Sequence, residues 1–173
     1  MDAMKINADF NLKVVIKPEE MTWNPSPVPG INRAYLDRVG GEVAKASSIV
    51  KYKPNSTFTQ HEHGEGEEIL VLDGTFSDEN GNYSAGTYLR NPPNSKHSPY
   101  SKTGCTLFVK LRHFHPEDIA IVKINTQTEI WHQGLVPGLS VMPLHEFNGV
   151  GTALVRWAPN TIFNPHVHPG GEE

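Results

Sequence analysis

The chain repeats itself, and no other feature limits its fold as much. Val50-Lys51-Tyr52-Lys53-Pro54-Asn55-Ser56 resembles Val155-Arg156-Trp157-Ala158-Pro159-Asn160-Thr161. His61-Glu62-His63-Gly64-Glu65-Gly66-Glu67-Glu68 resembles His166-Val167-His168-Pro169-Gly170-Gly171-Glu172-Glu173. Upstream, Trp23 pairs with Trp131 and Val28-Pro29-Gly30 with Val136-Pro137-Gly138, at an offset of 108 instead of the downstream 105. A three-residue deletion between Leu144 and Val155 accounts for the change. We read this as an internal duplication. Residues 1–22 form an N-terminal extension, 23–115 a complete domain, 116–130 a linker and 131–173 an incomplete second domain.

Each copy reads as β. The chain holds 15 Gly and 14 Pro, which favours many short strands joined by turns. Glu68-Ile69-Leu70-Val71-Leu72 is a short apolar strand that should end at the tight-turn dipeptide Asp73-Gly74. Asn80-Gly81 is a second such turn, and Gly86–Leu89 and Thr106–Leu111 are further strands. Turns this closely spaced imply an all-β sandwich or barrel. Alternating Leu12, Val14 and Ile16 place an added strand over Phe10–Pro18, and Pro116–Ala120 could start one helical turn between the copies.

Charge and cysteine content remove several classes. A net charge of -4 gives no basic excess for nucleic acid or a polybasic membrane patch. No run approaches the roughly 18 apolar residues of a membrane span. Met1 to Phe10 carries Asp2 and Asp9 and lacks the apolar stretch of a secretory signal, so a soluble, cytoplasmic chain is expected. The one cysteine, Cys105, sits in an apolar strand and reads as a small core residue. A single Cys also excludes any CxxC zinc site.

The chemistry concentrates in His61-Glu62-His63, Glu67 and His97. Residues i and i+2 of a strand share a face, so His61 and His63 present two imidazoles side by side. Glu67 follows Gly64 and Gly66, where the chain can bend its carboxylate inward, and His97 follows the rigid Asn91-Pro92-Pro93-Asn94 turn. Three imidazoles and one carboxylate suit divalent zinc, iron, nickel or manganese. Glu62, Glu65 and Glu68 are expected to be solvated, as are the spare histidines His113 and His115. His166, His168 and Glu172 repeat the pattern and form at most a partial second site.

These residues resemble the two cupin motifs. His61-Glu62-His63, Glu67 and Gly74 fit the first, and Gly86, Pro92, Asn94 and His97 fit the second. Asn94 stands in place of a usual Gly, a substitution a positive-φ turn accepts. Ser101 stands where a closing Asn is common. The stretches Gly66-Glu67-Glu68-Ile69-Leu70-Val71-Leu72-Asp73-Gly74-Thr75-Phe76-Ser77-Asp78-Glu79 and Gly86-Thr87-Tyr88-Leu89-Arg90-Asn91-Pro92 are similar to the ChrR-type cupins. The resemblance implies a jelly-roll (double-stranded β-helix), duplicated as a bicupin. It implies His61, His63, Glu67 and His97 as ligands, with zinc the metal.

Two functions follow from that resemblance. One is a metal-binding module that senses a small molecule or oxidative stress, related to anti-sigma factors. In those, a separate N-terminal helical zinc domain grips the sigma factor, so a sigma partner rests on family analogy alone. The other is a non-haem Fe(II) dioxygenase acting on a diketone or a hydroxyacetophenone-like substrate, with no distinctive general base in the sequence. Tyr52, Thr59 and Arg90 are candidate lining residues for either. Exposed strand edges suggest a homodimer. In the first copy His97 lies 30 residues beyond Glu67, whereas only Glu173 follows Glu172. A finished second copy would end at about residue 220, so a truncated two-domain protein is expected.

Overall fold

The structure is a computed structural model, and it describes residues 4–173. The strands in chain order are β1 (Lys5–Ile6), β2 (Trp23–Pro25), β3 (Ile31–Gly40), β4 (Ala44–Tyr52), β5 (Ser56–Thr57), β6 (His61–His63), β7 (Glu67–Asp78) and β8 (Gly81–Ser84). They continue as β9 (Thr87–Asn91), β10 (Ser95–His97), β11 (Tyr100–Ser101), β12 (Cys105–Leu111), β13 (Val122–Asn125), β14 (His132–Gln133), β15 (Leu139–Phe147) and β16 (Val150–Trp157). The only helix among the described residues is a 3-10 turn at Pro18–Glu20. No helix among them is long and apolar enough to cross a membrane.

Two compact units divide between Asn125 and Thr126. In the first, β3, β4, β12 and β7 lie side by side, all antiparallel. β7 then turns back through Asp78↔Gly81 into β8 and pairs at its start with β9. A separate ribbon joins β6 to β10, with His61 directly opposite His97. β13 pairs with β9, which holds residues 122–125, the middle of the expected linker, within the first unit. This is the all-β jelly roll that the motifs imply.

Alternation along the strands builds the core. In β12 the side chains of Cys105, Leu107 and Val109 turn inward, and they meet Ile69 and Val71 of β7, Val50 of β4 and Ile31 of β3. Phe76, Tyr83 and Leu89 complete the cluster. Burying each large apolar side chain is worth about 1.5–3 kcal/mol. Burial pushes the Cys105 thiol up to about 11, as expected of a core cysteine.

Three local expectations are corrected. Asp73-Gly74 does not end a strand: β7 runs through it to Asp78. The register passes from Thr106↔Asp73 to Leu107↔Val71, which leaves a bulge at this point. Gly74 has φ +73, and a Cβ there would strike the Gly104 carbonyl, so glycine serves close strand approach instead of reversal. Phe10–Pro18 forms no strand. Phe10, Leu12, Val14 and Val15 are all exposed, and the edge of β3 is taken by β1 and β2. Pro116–Ala120 forms only a turn, because the Asp118 side chain is drawn into the protein, where it is 2% exposed.

The second unit is a three-stranded sheet, β14-β15-β16. Leu139, Met142 and Leu144 of β15 are buried, whereas Val150, Val155 and Trp157 of β16 are exposed. Small conformations recur between the units. Gly30 and Gly138 have φ +82 and +85, and Asn55 and Asn160 have φ +61 and +65. Lys51 lies over the Trp23 ring at 4.3 Å and Arg156 over Trp131 at 4.0 Å.

Candidate metal centre

The ribbon and the long strand bring four side chains together. His61 and His63 project from β6, His97 from β10 and Glu67 from the first residue of β7. One ligand-type atom from each lies within 4.8 Å of the others. The three imidazole centroids are 4.7–5.0 Å apart. Asn94, with φ +67, takes the positive-φ place, and its N–H donates to the His63 carbonyl at 2.7 Å. That bond ties the β10 turn to β6.

Hydrogen bonds orient the rings. His61 Nδ1 donates to the Thr59 carbonyl at 3.0 Å, which leaves Nε2 as a lone-pair donor. His97 Nδ1 donates to Asp78 Oδ2 at 3.4 Å. The Nε2 atoms of His63 and His97 are buried with no hydrogen-bond partner among the described residues. Both face Glu67 Oε2, at 3.4 and 3.5 Å. Asn91 Nδ2 donates to the same carboxylate oxygen at 3.1 Å.

The electrostatics agree with this arrangement. Burial, then the neighbouring His61, pushes His63 down to about 4. Burial also lowers His97, against the pull of Glu67, and burial raises Glu67 above the usual carboxylate range. Burial therefore favours the neutral, lone-pair-donating forms of His63 and His97. Two buried, unpartnered imidazole nitrogens beside a buried carboxylate form a donor set that could hold a divalent metal.

Other expected residues fall into place or out of it. Tyr52 is half-buried and senses Glu67: burial, then that carboxylate, holds its phenol protonated. Thr59 is exposed and contributes its carbonyl. Arg90 does not line the site. It points to the other side of β9, where it pairs with Glu68 and Asp118 and lies 3.7 Å from the Phe114 ring centroid. Glu68, expected to be solvated, is 7% exposed and also accepts the Tyr88 hydroxyl at 2.6 Å. Glu62 and Glu65 are exposed as expected, and each pairs with a cation, Lys96 and Arg112. His115 is exposed, whereas His113 is half-buried.

In the second unit His166 Nδ1 donates to the Asn164 carbonyl at 2.9 Å, and His168 Nε2 lies 2.6 Å from His166 Nε2 and 3.3 Å from Glu172. All three side chains are exposed. Asp78 and Asn91 are residues the sequence reading missed. Asp78 sits in a stretch that looks like hairpin-turn chemistry, and Asn91 reaches Glu67 only through the β7–β9 register.

Fold and site together define a cupin. The family described as the ChrR cupin-like domain matches residues 11–115 and 120–173, and the chain belongs to that family. No curated protein matches it. Among solved structures, a chain of the Rhodobacter sphaeroides SigE–anti-sigma ChrR complex is 23% identical, with TM-score 0.47. The match covers 55% of this chain and 51% of that one, about half its length. An RmlC-like cupin from Ralstonia eutropha is 14% identical over 68% of this chain and 82% of its own, with TM-score 0.51. An acetylacetone dioxygenase from Acinetobacter johnsonii is 16% identical over 73% and 93%, with TM-score 0.50. The last two likenesses show the fold.

Proposed function

We propose that His61, His63, Glu67 and His97 bind a divalent metal ion, zinc in the first instance, and that the chain is a metal-binding cupin module that senses a small molecule. The observation that carries this reading is the pair of buried, unpartnered Nε2 atoms aimed at Glu67. An ion held there would supply positive charge and an open coordination position for a ligand. The chain's own residues would do the rest. Asn91 holds the Glu67 carboxylate in place. The protonated Tyr52 phenol offers a hydrogen-bond donor, and Phe58 and Phe76, whose rings lie 4.8 Å from His61 and 6.0 Å from His97, supply apolar walls.

Those aromatic walls also suit a flat, weakly polar substrate, which favours a second reading. It is an Fe(II) dioxygenase acting on a diketone or hydroxyacetophenone-like compound. A sigma-factor partner would rest on family membership alone. The recurring His166–His168–Glu172 geometry supports a duplicated cupin.

Elemental analysis of purified protein tests the first reading. About one equivalent of tightly held zinc, lost in His63→Ala, is expected. No metal after purification and none taken up on titration would overturn both readings. Oxygen uptake with a β-diketone after anaerobic Fe(II) loading would select the dioxygenase.

A further inference from the structure

Asp78 is the last residue of β7, where the strand turns into β8, and is 7% exposed. Its two oxygens have different work. Oδ1 accepts three hydrogen bonds: the Asn80 N–H at 2.7 Å, the Gly81 N–H at 3.1 Å and the Tyr83 hydroxyl at 2.9 Å. Those donors lock the carboxylate into the β7–β8 turn. Oδ2 is left facing His97 Nδ1 at 3.4 Å. The adjacent Glu79 accepts the Ser98 N–H at 2.8 Å, so two consecutive acids grip two consecutive residues of the β10 loop.

A neutral imidazole carries one proton, and a carboxylate can only accept it. Glu67 Oε2 also faces the ring, 3.5 Å from Nε2, but only the Nδ1 contact to Asp78 is a hydrogen bond, so the acceptor at Nδ1 decides which nitrogen of His97 is bare. Asp78 cannot itself be a ligand in this arrangement, because it meets the ring on the side opposite Nε2, which faces Glu67. We propose that Asp78 is a positioning residue: it holds the proton of His97 on Nδ1 and keeps Nε2 unprotonated and aimed at Glu67. The inference rests on the metal-binding reading above and extends it from the four ligands to the group that prepares one of them.

Asp78→Asn separates this role from the turn. Its amide oxygen can still accept the three turn donors, which forces its NH2 group toward His97. That donor favours the Nε2–H form of the ring, which must give up that tautomer before Nε2 can bind metal. The experiment is a Zn2+ competition titration against a chromophoric chelator, on wild type and Asp78→Asn, with the melting point of each metal-free protein as the measure of fold. A 10–100-fold loss of Zn2+ affinity is expected, with melting changed by only a few degrees. Long-range 1H–15N spectra of the metal-free wild type should show His97 protonated at Nδ1, a readout that needs no variant to fold. Equal affinity in a folded Asp78→Asn, or an Nε2–H ring in the wild type, overturns this inference alone. A wild type that binds no Zn2+ overturns the metal reading and this inference with it.

Discussion

Gly66 shows how closely single residues set this site. It precedes Glu67, has φ +81, and a Cβ there would come within 2.5 Å of the Phe114 ring. The left-handed conformation alone costs a non-glycine residue roughly 1–2 kcal/mol, and the ring contact adds to it. Gly66→Ala should therefore lower stability by about 2 kcal/mol or more in urea denaturation and weaken metal binding by displacing Glu67. An unchanged urea midpoint would show that neither the φ +81 backbone nor the Phe114 ring constrains position 66. The same scale shows what the sequence makes legible. The i, i+2 rule puts His61 and His63 on one face, and the Asn94 turn delivers His97 opposite His61. Asp78 and Asn91 escaped that reading because their partners are 19 and 24 residues away, across strands whose register no local pattern announces.

At the level of elements, the segment after β12 is a brace. The Arg112 N–H donates to the Gly66 carbonyl at 3.0 Å, Phe114 covers Gly66, and Asp118 reaches Arg90 on β9. A guanidinium between two buried carboxylates orders the cost of breaking the brace. Arg90→Met removes the guanidinium that Glu68 and Asp118 share and should cost about 3–5 kcal/mol. Asp118→Asn keeps the Arg90–Glu68 pair and should cost only about 1–3 kcal/mol. Denaturant midpoints in the reverse order would remove Arg90 from the centre of the network. The chain's apolar alternation announces β12 and the core of β7. It does not announce the brace, since a charged residue in a strand reads as solvated until a distant segment covers it. The exposed alternation of Phe10–Val15 misleads in the opposite direction: the pattern of a strand is present, but β1 and β2 hold the edge it would need.

Across the first unit, the four candidate ligands do not share one sheet. Three belong to the β6–β10 ribbon, and Glu67 opens the strand that runs through the centre of the main sheet. Residues 61–63 and 95–97 make few hydrogen bonds of their own, whereas β4, β12 and β7 are paired along most of their length. An ion bound across that gap would act as a rivet between a weak ribbon and a strong wall. Hydrogen exchange should then divide the unit in two. Chelation should speed exchange at the β6 and β10 amides while leaving β4 and β12 unchanged. Equal acceleration everywhere would mean that the ribbon opens only with the whole unit. In a protein riveted this way, occupancy of the site is written into the motion of one hairpin-sized patch, and a partner able to distinguish a closed ribbon from a loose one could read the metal without touching it.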